Sequence, residues 1–120
     1  MRVLSIVILL LWNSMSFAQK SNPVKGEVMY HVFQRSFYDS DGNFQGDLTG
    51  LKQKLPYLQD LGVTSILLLP LYEADCYHNY FANSFENIDS SFGTMQEYIS
   101  LVKEIHKRDM KVYMDMETQY

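Results

Sequence analysis

The sequence is poor in cysteine, in basic residues and in long apolar runs. Cys76 is the only cysteine, so no disulfide can form within the chain and a stable fold must depend on an apolar core. The hydrophobic content of 47% is enough to supply that core. The 14 acidic residues outnumber the 10 basic ones, which argues against nucleic acid as a partner.

The longest apolar run lies near the N-terminus, at residues 3–11, directly after Arg2. It is shorter than the roughly 18 residues expected of a membrane-spanning helix. Small side chains, Ser16 and Ala18, occupy the two positions that a signal peptidase reads. The pattern predicts a signal peptide over residues 1–18, a polar lead-in over 19–26 and a folded region over 27–120. We therefore expect a secreted or periplasmic protein with no stable membrane insertion after signal cleavage.

The periodicity of the apolar residues predicts alternating strands and helices. Apolar segments at residues 27–37, 63–70 and 110–116 predict strands, the second of them covered on both faces. Leucines at helical spacing between the first two strands predict helix, and Gly62 is in the position of its C-cap. Because Pro56 interrupts the pattern, we expect a short turn and then a helix with proline near its first position. Residues 71–93 are expected to form a loop.

A second helix is predicted to begin at Thr94. Glu97 stands three residues further on, and this spacing is typical of a capping box. The inner face of this helix is expected to contain Met95, Tyr98, Ile99, Val102, Ile105 and His106.

The order strand, helix, strand, helix, strand is typical of a parallel sheet with helical crossovers. Three strands do not complete such a sheet, which normally has about four or five. A (β/α)₈ barrel needs about 250 residues. We therefore expect an α/β fold of which this chain is an incomplete part.

Oxygen-bearing side chains occupy alternate positions of the segment 39–47, DSDGNFQGD. They are Asp39, Asp41, Asn43, Gln45 and Asp47. The segment is either a turn whose side chains bond their own backbone or a loop that wraps a hard cation such as Ca²⁺. It is not an EF-hand, because Phe44 and Gly50 occupy the places of that motif's glycine and bidentate glutamate.

Three blocks of the sequence keep the order and spacing of blocks in a known enzyme family. Residues 28–74, 77–80 and 88–116 resemble the opening of the catalytic barrel of the α-amylase family of glycoside hydrolases, family 13. The resemblance implies that the chain holds the first three strands and first two helices of a (β/α)₈ TIM barrel.

The resemblance also implies a calcium site in the acidic loop. Family members that are similar to oligo-1,6-glucosidases carry a calcium loop after the first strand. Carried over to this sequence, the side-chain ligands are Asp39, Asp41, Asn43 and Asp47, and Gln45 is a ligand through its main-chain oxygen. The ion is expected to stabilise the loop rather than to take part in the chemistry.

Three substrate-binding positions follow from the same resemblance. Tyr80 matches a tyrosine that stacks on the sugar ring at the point of cleavage, but Phe81 replaces the aspartate that follows it in the family. Asp115 matches the aspartate of the first signature block, at the end of the third strand. Gln119 and Tyr120 replace the Asn-His pair of that block, and Tyr120 could still donate a hydrogen bond to substrate.

No catalytic residue is expected within this chain. The family's nucleophilic aspartate, acid/base glutamate and stabilising aspartate belong to later strands. Glu117 lies close to Asp115 on one strand face, but two such carboxylates cannot flank a glycosidic bond from opposite sides. The full-length protein is therefore expected to be a retaining hydrolase of α-glucan oligo- or polysaccharides, and this chain alone is expected to be inactive.

Two other functions stay open at this point. The substitutions at Phe81, Gln119 and Tyr120 favour a non-catalytic relative that binds glycans or a protein partner. The acidic loop is also compatible with a free-standing, small calcium-binding α/β module.

Overall fold

The structure is a computed structural model that describes residues 26–118. The predicted signal peptide (residues 1–18), the lead-in up to residue 25 and the pair Gln119 and Tyr120 lie outside the described residues. The elements in chain order are β1 (Met29–Val32), a 3₁₀ turn (Gln34–Ser36), α1 (Leu48–Gln53), α2 (Leu55–Asp60), β2 (Ser65–Leu68), β3 (Tyr72–Ala74), β4 (Ala82–Ile88), α3 (Met95–Lys107) and β5 (Lys111–Met114). None of the helices described is long and apolar enough to cross a membrane.

Strands β1, β2 and β5 form a parallel sheet with β2 in the centre. Tyr30 pairs with Ile66, which in turn pairs with Val112. Helices α1 and α2 connect β1 to β2, and α3 lies between β2 and β5. The predicted alternation of strands and helices is therefore confirmed, although each strand is shorter than its predicted segment.

The core lies between this sheet and the helices. Its fully buried members include Val32, Leu51, Leu55, Leu58, Ile66, Leu68, Leu101 and Ile105. Burial of one such aliphatic side chain contributes about 1.5–3 kcal/mol. The predicted helix with proline near its first position is α2, where Pro56, which has no N–H, stands in the first turn. The short turn expected before it is a helix instead, α1. Gly62 follows with a positive φ of 90°, as expected of a helix C-cap.

The buried face of α3 differs from the predicted one. Thr94 does form the predicted capping box with Glu97. However, Met95 and Ile99 are 40% and 44% exposed, and His106 is exposed. The face is centred on Leu101 and Ile105 instead. Ile99 precedes Leu101 by two residues, which places it about 200° away around the helix.

The first strand ends earlier than its predicted limit at residue 37. Beyond Val32, two backbone hydrogen bonds of 3.1 Å form the 3₁₀ turn. The buried side chain of Gln34 donates from Nε2 to the carbonyl oxygens of Leu69 and Pro70, at 3.2 and 3.1 Å. A contact between segments so far apart in sequence stabilises the turn, so local periodicity did not predict it.

Strands β3 and β4 lie in the segment that was predicted to be a loop. They pair antiparallel, with Tyr72 opposite Ile88 and Ala74 opposite Ala82, and the register is irregular. Strand β4 has the sequence ANSFENI, and its asparagines and glutamate have low strand propensity. Residue propensities therefore do not predict that β3 and β4 form strands.

Two glycines allow the acidic segment to fold back against the chain that follows β1. A Cβ on Gly46 would lie 2.0 Å from the carbonyl oxygen of Gln34, and one on Gly50 would lie 2.1 Å from that of Tyr38. Real Cβ atoms do not approach so closely. The fold therefore requires glycine at both positions.

Gly46→Ala is expected to lower the free energy of unfolding by about 3 kcal/mol, because the new methyl group must displace backbone. Gly26→Ala is the matched control, since a Cβ there meets no atom within 4 Å. Its effect should stay within about 0.5 kcal/mol. Urea denaturation followed by circular dichroism measures both. Equal stability of the two variants would contradict the close approach.

Candidate functional site

Three loops follow the carboxyl ends of the parallel strands and meet at one edge of the sheet. The first strand-end loop is residues 33–47, the second is 69–93 and the third is 115–118. Because parallel strands end at the same edge, these loops bring distant parts of the sequence together. All of the predicted site residues except Tyr120 lie in these loops.

Three aspartates converge in the first strand-end loop. Asp39, Asp41 and Asp47 each offer a carboxylate oxygen within 4.8 Å of the other two. Asp47 is 9% exposed and caps α1 by accepting a hydrogen bond of 2.6 Å from the Gly50 amide. Within residues 26–118, no lysine or arginine forms an ion pair with these aspartates. Their charges therefore lie close together without a protein cation to offset them.

The hydrogen bonds of this loop include those of an Asx-rich turn. The Asp39 carboxylate accepts from the amides of Gly42 and Phe44, both at 2.8 Å. The bond from the Gly42 amide is the main reason why the pKa of Asp39 lies below its ordinary value. Asp39 is therefore ionised at neutral pH.

The turn and the cation site do not exclude each other. A carboxylate has about four lone-pair sites, so an oxygen that accepts an amide can also bind a metal ion. Asn43 Oδ1 accepts from the Gln45 amide at 2.8 Å and keeps a lone pair in the same way. Ca²⁺ takes about six to eight oxygen ligands, and this set of side chains fits such an ion.

Phe44 occupies a strained position at the tip of the loop. Its φ is 70° and it is 97% exposed. The left-handed conformation costs a non-glycine residue about 1–2 kcal/mol. No burial of the ring offsets this cost, so the hydrogen bonds to Asp39 must hold the backbone in place.

Arg35 connects the first strand-end loop with the second. Its side chain is 21% exposed, and its carbonyl oxygen accepts from the Gly46 amide at 2.7 Å. The guanidinium group donates four hydrogen bonds, to Gln45 Oε1, the Tyr77 carbonyl oxygen (2.9 Å), Asn79 Oδ1 (3.3 Å) and Ser91 Oγ (3.2 Å). It also forms an ion pair with Asp89 Oδ2 at 3.8 Å. Its central carbon lies over the Phe92 ring, 4.8 Å from the centroid.

Asn79 and Asp89 complete this polar cluster. Asn79 is fully buried and donates from Nδ2 to Asp89 Oδ2 at 2.6 Å and to the Tyr72 carbonyl oxygen at 3.0 Å. Partial burial raises the pKa of Asp89, but hydrogen bonds from Ser91 and Asn79 and the charge of Arg35 outweigh it and bring the pKa below its ordinary value. Asp89 is therefore an anion next to Arg35.

Tyr80 and Asp115 meet across the second and third loops. Tyr80 Oη donates to Asp115 Oδ2 at 2.6 Å, and the Asp115 amide donates to the Leu68 carbonyl oxygen at 2.8 Å. This hydrogen bond to the Asp115 carboxylate is the main cause that raises the pKa of Tyr80 to about 12. The structure therefore brings together two of the three predicted substrate-binding residues, and the third, Tyr120, lies outside the described residues.

Aromatic rings surround Phe81. His78 Nδ1 accepts from the Tyr80 amide at 3.1 Å. The rings of Tyr77 and Phe81 pack edge-on against His78, with centroids 5.3 and 5.4 Å away. Phe81 is 59% exposed, so it adds apolar surface next to Tyr80.

Sequence patterns do not indicate that Arg35, Asn79 or Asp89 are site residues. The side-chain partners of Arg35 lie between 10 and 56 positions away along the chain, beyond the reach of local patterns. One signal was available: Arg35 is the only arginine or lysine in the three strand-end loops.

The fold and its strand-end loops define a segment of a parallel α/β barrel, and solved structures support this. The structure of "Eubacterium rectale Amy13B" matches with a TM-score of 0.72 and 41% identity, over 73% of this chain and 17% of that chain. The α-amylase from H. orenii matches with a TM-score of 0.71 and 38% identity, over 73% of this chain and 20% of that chain. The described residues therefore form part of a (β/α)₈ TIM barrel.

Sequence comparisons identify the family. The model of the alpha-amylase catalytic domain matches residues 31–118. The chain is 37% identical over 92 residues to Alpha-amylase 3 of Dictyoglomus thermophilum and 42% identical over 93 residues to the oligo-1,6-glucosidase of Bacillus cereus. These matches cover 77% of this chain, but only 18% and 17% of the two relatives. The chain belongs to the α-amylase family, glycoside hydrolase family 13, and spans less than a fifth of the length of these relatives.

Replacing the partner of Tyr80 should change its ionisation. The pKa of Tyr80 should be about 12 in the wild type and should fall towards 10 in Asp115→Asn, which removes the carboxylate charge. Glu117→Gln is the control and should leave the pKa of Tyr80 nearly unchanged, because the charge of Glu117 contributes least to raising it. Ultraviolet tyrosinate absorbance measures the titration, with Tyr80→Phe subtracted to isolate this residue.

The same shift makes stability depend on pH. A folded-state pKa above the unfolded value gives stability that is fully present below about pH 10 and is lost as the pH rises through about 12. The Asp115→Asn variant should show less of this loss. A Tyr80 titration that is unchanged in Asp115→Asn would contradict the hydrogen bond.

Proposed function

We propose that the chain supplies the first part of the substrate-binding wall of an exported glycoside hydrolase that acts on α-glucans with retention. The observation that carries this proposal is the 2.6 Å hydrogen bond between Tyr80 and Asp115. It lies at the carboxyl edge of the sheet, where barrel enzymes place their active sites. The relatives named as alpha-amylase and oligo-1,6-glucosidase support the choice of substrate class.

The role of the pair is to bind and orient sugar. An aromatic ring that is already held in place loses less conformational freedom when the apolar face of a pyranose stacks on it. The bond to Asp115 restricts rotation of Tyr80, and the Asp115 amide fixes that residue to β2. Phe81 beside it adds apolar surface in place of a charge.

The proton transfers of a retaining hydrolase belong to other residues. One carboxylate attacks the anomeric carbon, and a second, protonated one donates to the leaving oxygen. We assign neither role to this chain, whose part is to bind and orient the substrate. Purified chain alone is therefore not expected to release reducing sugar from maltooligosaccharides.

A chimaera tests the proposed function directly. In the chimaera, the part of this chain that aligns with the Bacillus cereus oligo-1,6-glucosidase replaces the matched 93-residue segment of that enzyme, with which it shares 42% identity. The chimaera should hydrolyse an α-glucoside, and Tyr80→Phe or Asp115→Asn should lower kcat/KM by about tenfold or more, as expected when a positioned group is lost. Gln53→Ala, at an exposed position in α1, is the control.

The outcomes of this experiment separate the candidates. A folded chimaera that binds oligosaccharide but hydrolyses nothing would favour the non-catalytic glycan-binding relative, for which the exposed Phe81 is the supporting observation. A folded chimaera in which neither Tyr80→Phe nor Asp115→Asn affects binding or turnover would refute the proposed role of the pair.

Calcium binding by the first strand-end loop is part of the proposal. The residues that would hold the ion are Asp39, Asp41, Asn43 and Asp47 through side chains and Gln45 through its main-chain oxygen. When bound, the ion would offset the three clustered carboxylates and stabilise the loop. The clustering of three aspartates within 4.8 Å supports this assignment.

Export through a leader at residues 1–18 is also proposed. The sequence pattern of a basic start, an apolar run and Ser16 and Ala18 supports it. N-terminal sequencing of the exported product should find Gln19 as its first residue, and an uncleaved N-terminus would refute this.

Calcium should raise the melting temperature of the protein. At about 100 times its Kd, a ligand that binds only the folded state stabilises it by about 2.7 kcal/mol. Asp41→Asn should remove most of this gain, because it removes a ligand charge at an exposed position. Asp60→Asn, at an exposed position in α2, should keep the gain. Thermal denaturation with calcium and with a chelator measures the effect, and identical wild-type curves would refute the site.

A further inference from the structure

The side chain and the carbonyl group of Arg35 contact both the acidic segment and the segment that carries Tyr80. On the first side, Nη1 donates to Gln45 Oε1 and the carbonyl oxygen accepts from the Gly46 amide. On the second side, Nε donates to the Tyr77 carbonyl oxygen and Nη2 donates to Asn79 Oδ1. If either loop is displaced, a hydrogen bond to Arg35 is therefore disturbed, and Arg35 is also bonded to the other loop.

The contact on the acidic side fixes the residue that is proposed to bind calcium through its main chain. The Gln45 amide donates to Asn43 Oδ1 at 2.8 Å, and its side-chain oxygen accepts from Arg35. Gln45 thus lies between a proposed ligand side chain and the guanidinium group. An ion that orders Gln45 also orders its bond to Arg35.

The contact on the other side fixes the residue that precedes Tyr80. Asn79 is fully buried and has a φ of 59°. It accepts from Arg35 and donates to Asp89 and to the Tyr72 carbonyl oxygen. The backbone that leads into Tyr80 is therefore held by a side-chain network in which Arg35 is a donor.

Lysine could not replace arginine in this network. The guanidinium group is planar and carries five N–H donors in a fixed fork, whereas an ammonium group is a point charge with three. Here, Nε, Nη1 and Nη2 each donate in a different direction, to Tyr77, Gln45 and Asn79. One ammonium group cannot reach these acceptors at once.

We infer that Arg35 is a positioning residue that couples cation binding in the acidic segment to the Tyr80–Asp115 pair, through Gln45 on one side and Asn79 on the other. This inference rests on the proposed calcium site. Calcium reduces the opening of the contacts around Asn79, so Tyr80 is held more firmly. By reciprocity, a sugar that binds Tyr80 tightens calcium binding.

Hydrogen exchange of the full 120-residue chain, with and without saturating calcium, tests the coupling. The amides of Gly42 and Phe44 report on the ion itself, because both donate to Asp39. The amides of Asn79 and Tyr80 report on the coupled segment, because they donate to the Cys76 carbonyl oxygen and to His78 Nδ1. Calcium should slow exchange at all four, at Asn79 and Tyr80 by about fivefold or more.

Gln45→Leu removes the side-chain bond between Arg35 and the acidic segment and keeps the main-chain bond from the Gly46 amide to the Arg35 carbonyl oxygen. It leaves the main-chain oxygen of Gln45 and the contacts of Arg35 with the second loop. With saturating calcium, Gly42 and Phe44 should still be slowed, while the effect on Asn79 and Tyr80 should fall below about twofold, under the range of a typical coupling.

Arg35→Lys should give the same result as Gln45→Leu. Arg108→Lys is the matched control, because Arg108 bridges Gln59 and Glu104 on the helices, and it should keep the full effect. A merely structural role of Arg35 would speed exchange with and without calcium and leave the calcium effect unchanged. If Arg35→Lys unfolds the protein, Gln45→Leu decides alone.

The outcomes distinguish this inference from the proposed calcium site. If calcium slows no amide of the acidic segment, the site and the coupling both fail. If calcium slows Gly42 and Phe44 but not Asn79 and Tyr80, or if Gln45→Leu keeps the full effect, the coupling alone is overturned.

Discussion

The arrangement of the strand-end loops depends on the hydrogen bonds and the ion pair of the Arg35 guanidinium group. Arg35 lies in the 3₁₀ turn that follows β1, and only 21% of its side chain is exposed. Its most distant hydrogen-bond partner, Ser91, is 56 residues away along the chain. A hydrogen bond that involves a charged group contributes about 1.5–3 kcal/mol, and a partner that is left buried and unpaired costs a comparable amount. The position of Arg35 in the 3₁₀ turn therefore constrains two loops at once, while the helices and the sheet supply the apolar core beneath them.

Hydrogen bonds rather than apolar burial hold the acidic segment of the first loop. Its one apolar side chain, Phe44, is 97% exposed and has a positive φ. The segment stays in place because Asp39 and Asp47 accept backbone amides and because glycine at position 46 allows close approach to Gln34. A loop without a core of its own is sensitive to local charge. This is why an ion here would affect its order more than it would affect the sheet.

Sequence patterns predicted what depends on near neighbours in the chain. The capping box of Thr94, the break at Pro56 and the turn at Gly62 each need only a few consecutive residues, and all three are confirmed. Tyr80 and Asp115 were each named as substrate-binding residues from the family resemblance, but their hydrogen bond to each other was not predicted. The network around Arg35 and the pairing of β3 with β4 did not follow, because they depend on contacts between loops that only the folded sheet brings together. The face of α3 was misplaced because Met95 and Ile99 are apolar but lie away from the core.

The charge at this edge of the sheet supports a role for a metal cation. The three strand-end loops contain nine carboxylates and a single guanidinium group, although the whole chain has a net charge of only −4. Arg35 offsets Asp89, at 3.8 Å, and Asp115 is bonded to the phenol of Tyr80. The three aspartates of the acidic segment have no such partner among lysines and arginines in residues 26–118. Since like charges within 5 Å repel each other, a divalent ion there would offset the charges of these three aspartates.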